Sequence, residues 1–171
     1  MIWILLNNFI RFIVLAFIQI FLLKNIGYYN LATPFLYILF IMLLPFETPN
    51  ILLFLLSFLL GITIDTFYDT LGVNAAACCV LAFVRITFIN LTVQRQGLET
   101  EPEPKLGIMG FRWFFFYALI LTLFHHLTLF LLETFSFSDI RYTLIRVLLS
   151  SLSTILLLLL SEFIFFRKKE R

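Results

Sequence analysis

The sequence predicts an all-α integral membrane protein, six transmembrane helices in one compact bundle, and three observations carry that prediction. The chain is 62% hydrophobic and only 13% charged over 171 residues, whereas soluble domains are ~25% charged. Its apolar residues fall in runs near the ~20 residues that a helix needs to cross a hydrocarbon core about 30 Å thick. Between the runs stand brief interruptions carrying Pro, Gly, Asn and Asp, the residues that end helices and make turns. Residues 1–171 thus form a single polytopic domain with almost nothing left outside the membrane.

Segment one covers about 3–23 and is closed by Lys24, Asn25 and Gly27. No basic stretch precedes it and no small-residue cleavage pattern follows, so it is expected to be an uncleaved first span. Segment two, about 31–46, opens at Thr33 and Pro34, a cap residue followed by a residue suited to the first helical position. Pro45 closes it. At 1.5 Å per residue its 16 or so positions reach only ~24 Å, short for a crossing.

Segments three and four, about 50–67 and 71–92, are separated by the tight turn YDTLG. Segment four carries GVNAAACC and then Ala82. The pairs Gly72/Ala76, Ala75/Cys79 and Cys78/Ala82 are small residues four apart, which let helix backbones approach closely in lipid. Gly61 in segment three, and Ser150, Ser151, Ser153 and Thr154 in segment six, carry the same reading. The partner helix can belong to this chain or to a second copy, so a homo-oligomer stays open. Segments five and six cover about 111–133 and 144–166. The one long polar stretch, VQRQGLETEPEPKLG at 93–107, lacks helical periodicity and is expected to lie exposed within a loop spanning 93–110.

Basic residues are retained on the cytoplasmic side. Arg95, Lys105 and Arg112 flank the long loop and Arg167, Lys168, Lys169 and Arg171 crowd the C-terminus, against Lys24, Arg141 and Arg146 on the other side. Both termini and the loop are therefore expected to be cytoplasmic. The formal charge of +2 and the absence of an aromatic-interleaved basic patch argue against nucleic acid. The two cysteines, Cys78 and Cys79, are adjacent and offer neither a disulfide framework nor a zinc pattern.

Ionisable residues inside the bilayer are costly and mark sites of interest. Asp65 lies about 22 Å along segment three, toward the external side, and Arg85 about 20 Å down segment four, toward the cytoplasm. The two are not expected to pair. Arg11 and Glu162 fall near the depth of Arg85 and suggest a cluster, with Asn7 and Asn8 nearby; the alternative is that each arginine snorkels to the interface. Asp65 and Asp69 stand four apart, a spacing open to acid–base work or cation binding. The competing reading makes Asp69, Thr70 and Gly72 a turn, with Asp65 accepting from the first N–H groups of segment four. His125 and His126 are adjacent, so they cannot both face one ion from a helix, and no third ligand accompanies them. No catalytic, cofactor-binding or metal-ligating constellation emerges.

The stretches ATPFLYILFIMLLPFETPN and LLGITIDTFYDTLGVNAAACCVLAFVR resemble the rod shape-determining MreD family. Pro34, Pro45, Gly61, Asp65 and Gly72 occupy the positions of that pattern, and the likeness is specific over residues 31–85. The resemblance implies a non-enzymatic scaffold of the bacterial inner membrane, acting with the bitopic protein MreC. Through MreC it would connect MreB filaments to the peptidoglycan synthase of cell elongation. It also implies the helical fold of the S components of energy-coupling-factor vitamin transporters. An actual S component is the alternative, against which stands a first segment with only Ala16 where a small-residue pair is wanted for docking.

Overall fold

The computed structural model describes residues 2–26, 32–96, 103–134 and 140–164. Residues 97–102 of the polar loop and the basic group at 167–171 lie outside them. Among the described residues five helices are long and apolar enough to cross a membrane. The first is α1 (Ile2–Phe17), continued without a break by a π-helical turn, Ile18–Leu23. The others are α3 (Asn50–Tyr68), α4 (Val73–Gln96), α6 (Phe111–Thr134) and α7 (Ile140–Ile164). Two shorter pieces are α2 (Ile38–Met42) and α5 (Leu106–Met109).

Cross-contacts fix the directions. Lys24 Nζ donates to the Phe67 carbonyl and Gln19 Nε2 to the Tyr68 hydroxyl, so α1 and α3 end at the same level and run parallel. After α3, α4 turns back. Phe88 of α4 packs on Trp113 and Tyr117 near the start of α6, and Arg146 of α7 meets Glu133 near the end of α6, so each successive helix reverses. The bundle therefore has a turn end, holding residues 69–72, and a loop end, holding residues 103–110.

The outward faces are greasier than the inward ones, as lipid demands. On α7, Leu148, Leu152 and Leu156 are exposed at four-residue spacing, while Val147, Ser150, Ser151 and Thr154 are buried. Packing between α3 and α4 is closest at Gly61, where an added Cβ would sit 2.3 Å from the Ala75 Cα. Ala75, Cys78 and Ala82 are buried on this contact face, whereas Ala76 is half-buried. The turn that joins the two helices uses Asp69 in the left-handed region (φ 56°) and Gly72 at φ 82°.

Segment two departs from expectation. It is not a spanning helix: Pro34 lies in a stretch without regular structure, α2 has only five residues, and Phe35–Leu44 is buried throughout. Residue 34 meets Gln19 in the π-helical turn that follows α1, and residue 43 meets Arg11 two turns earlier within α1, so the segment runs antiparallel to α1 through the bundle interior. Non-helical backbone is tolerated at such depth only where protein surrounds it and supplies its hydrogen bonds. The 93–110 stretch also differs. Helix α4 continues to Gln96, and α5 docks its Leu106, 2% exposed, back onto the bundle.

Candidate functional site

Segment two holds the polar groups of the bundle together. At its turn-end entrance three backbone N–H groups, each lacking a helical partner, find side chains of distant helices. Thr33 N donates to Ser150 Oγ at 3.0 Å, Phe35 N to Thr154 Oγ1 at 3.0 Å and Leu36 N to Gln19 Oε1 at 2.8 Å. Gln19 is fully buried and also donates Nε2 to the Pro34 carbonyl, gripping the chain from both sides of its amide.

At the loop-end exit the carbonyls are the orphans, and donors meet them in succession. Tyr117 donates its hydroxyl to Met42 O at 2.8 Å, Arg11 Nη1 donates to Leu43 O at 3.1 Å, and Arg85 Nη2 donates to Leu44 O and, at 3.3 Å, to Pro45 O. Pro45 thus closes the segment while offering its own carbonyl to Arg85. Cations suit this end, since the last carbonyls of a helical turn carry partial negative charge.

Between the two lies a continuous chain of side chains. Asp65 accepts from Asn74 N (3.0 Å) and Ala75 N (2.9 Å), capping α4, and from the Thr70 hydroxyl and Asn74 Nδ2 (3.0 Å). Asn74 Oδ1 accepts from the Tyr37 hydroxyl at 2.9 Å. That hydroxyl stands 3.0 Å from His125 Nε2, and the ring nitrogens of His125 and His126 are 3.4 Å apart. His126 reaches the Thr122 carbonyl through Nδ1 (2.9 Å) and Thr154 Oγ1 through Nε2 (3.1 Å).

The partners dictate where the protons sit. A carbonyl accepts only, so His126 carries its proton on Nδ1, and its Nε2 accepts from Thr154. His125 Nδ1 faces that N–H and must be bare, which puts the His125 proton on Nε2, donating to Tyr37. Tyr37 in turn donates to Asn74, and Asn74 to Asp65. Thr154, His125, Tyr37 and Asn74 therefore each donate in the direction of one buried carboxylate, while the His126 N–H goes to the Thr122 carbonyl. The amide of Asn74 interrupts any hand-over of protons along this line, so the arrangement orients and stiffens rather than conducts.

The candidate residues divide by end. Asp65, Gly61 and Gly72 gather at the turn end, with Pro34 leading in from there. Arg11, Arg85 and Pro45 gather at the loop end, so Asp65 and Arg85 belong to different ends. Glu162 shares the loop end, but its Oε2 accepts from Leu106 N at 3.0 Å; among the described residues no ion pair joins it to either arginine. Arg11 instead lies 3.9 Å from Glu103, which also pairs with Lys105. Asp69 ends α3 as an exposed residue and does not share a site with Asp65. Tyr37, Gln19, Asn74 and Tyr117 were not singled out from the sequence. Each is a lone polar group in an apolar run, and what marks it is a partner far away in the chain.

At the turn end a cleft of about 210 Å³ opens above Asn74 and Thr70, walled by Phe35, Leu129 and Phe130 and edged by Lys24, Glu133 and Arg146. No group of three or more His, Cys, Asp or Glu side chains able to hold a metal ion occurs among the described residues. Comparison with protein-family models, with curated proteins and with solved structures returns no match.

Proposed function

We propose that this chain is a non-enzymatic membrane scaffold of the bacterial cell-elongation complex, working beside MreC in the inner membrane with both termini in the cytoplasm. One observation carries the reading. The buried polar side chains Asp65, Asn74, Arg85, Gln19, Tyr37, Tyr117, His125 and His126 are engaged with one another or with the backbone of segment two. Groups committed in this way hold a shape; they are not poised over a substrate. The resemblance carried by Pro34, Pro45, Gly61, Asp65 and Gly72 supports the choice of assembly, and these residues frame segment two and the α3–α4 corner.

Through MreC the scaffold would reach MreB filaments on one side and the peptidoglycan synthase on the other. The test is affinity isolation of the tagged chain from native membranes. Recovery of MreC and other elongation proteins is the expected result. Recovery of ATPase-linked transporter subunits instead would identify an S component.

A further inference from the structure

We infer that the turn-end cleft is a binding site for a single carboxylate carried on a small apolar body. The inference goes beyond the scaffold role and does not depend on which proteins surround the chain.

The cleft's polar floor is already spent. Asn74 uses its backbone N–H, its amide nitrogen and its amide oxygen on Asp65, Thr70 and Tyr37, and Thr70 gives its hydroxyl to Asp65. Tyr68 and Gln19 satisfy each other. Lys24 donates to the Phe67 carbonyl and lies over the Tyr68 ring at 5.3 Å. Arg146 is different. Its guanidinium rests on the Phe130 ring at 4.3 Å, its side chain is 14% exposed, and its Nε is buried without a partner among the described residues.

The partner that Arg146 does have is held loosely. Both Glu133 oxygens approach the same Nη2, at 3.2 and 3.5 Å, and the Glu133 side chain is 43% exposed. The side-on edge of a guanidinium, Nε with Nη2, is built to take both oxygens of one carboxylate, and here only half of that edge is used. An incoming carboxylate would displace Glu133, bond both nitrogens and lay its apolar part against Phe35, Leu129 and Phe130. Among the described lining residues, Lys24 and Arg146 against Glu133 leave one positive charge in excess, which suits a monoanion and disfavours a dianionic phosphate above the buried Asp65. Two sources carry this chemistry, an acidic side chain of a partner protein and a free organic acid.

Benzoate, with benzamide as its neutral isostere, probes the site on the detergent-purified full chain. Saturable thermal stabilisation by benzoate and not by benzamide is expected. Arg146→Gln should raise the benzoate midpoint about tenfold, as loss of a charge-assisted pair requires. Glu133→Gln removes the internal competitor and should lower the midpoint severalfold; this variant keeps the test decisive if Arg146→Gln does not fold. Equal responses to benzoate and benzamide, or weaker benzoate binding in Glu133→Gln, would overturn the inference. A benzophenone amino acid at Val73, irradiated in native membranes, separates the sources. An adduct mapped to an acidic side chain assigns the carboxylate to a protein, a small acidic adduct assigns it to a free acid, and adducts with neutral groups alone count against the site.

Discussion

The two ends of segment two solve opposite problems in different ways. At the turn end, unpaired N–H groups meet the neutral acceptors Ser150, Gln19 and Thr154, and the last of these opens a connected chain running through the histidines and Tyr37 to Asp65. At the loop end, unpaired carbonyls meet separate donors, each from its own helix: Arg11, Arg85 and Tyr117. A connected network fails as a unit when one member is removed, and separate caps fail one at a time. The turn end should therefore be the rigid, all-or-none half of the protein, and the loop end the adjustable one.

That contrast can be broken at several points. Asp65→Ala strips the partner from Asn74 N, Ala75 N and two side chains at once, and with each buried unpaired group costing ~1–3 kcal/mol it should destabilise the fold by about 3 kcal/mol or more. Thermal unfolding in detergent reads this directly, and a loss below about 1 kcal/mol would contradict the network. Gly61→Ala comes next. The new methyl meets backbone rather than a movable side chain, so α3 and α4 must separate, at a cost of roughly 1–3 kcal/mol. Cysteine cross-linking across the α3–α4 contact should report the wider spacing.

Arg85→Met leaves the Leu44 carbonyl bare and should cost ~1–3 kcal/mol. Arg11→Met, at a position with a more exposed side chain, should cost less. The sharpest comparison uses pairs. Tyr37→Phe with His125→Phe should be non-additive by about 1 kcal/mol, whereas Arg11→Met with Tyr117→Phe, which share no acceptor, should add within ~0.5 kcal/mol. Similar coupling energies for the two pairs would remove the distinction between the ends.

Much of this architecture could be read from the chain. Spanning helices are fixed by length and hydropathy, and five of the six apolar segments have the required extent. Helical rise alone places Asp65 and Arg85 at different depths. The role of Asp65 as acceptor for the start of α4 was among the readings that the DTFYDTLG turn allowed, because an aspartate just before a tight turn lies beside the next helix's free N–H groups. Segment two was harder. Hydropathy scores a buried, half-extended chain and a lipid-facing helix alike, and Pro34 and Pro45 mark its limits without declaring its form. The groups that let it dispense with helical bonds, Gln19, Tyr117, Ser150 and Thr154, are scattered across the sequence and have no local signature. The hydrogen bond of Glu162 was hidden for a related reason: depth places it near the arginines, and its partner, the backbone N–H of Leu106, lies in a polar loop with no local signature.

A segment with no lipid-facing surface also constrains how the protein is made. Residues 32–46 cannot be released sideways into lipid as α1 or α3 can, because their N–H and carbonyl groups would meet only hydrocarbon. The acceptors and donors they require on α6 and α7 emerge from the ribosome at least 75 residues later, counting from Tyr117 back to Met42. The middle of the N-terminal half must therefore wait at the membrane surface, or in the care of an insertase, and thread inward last.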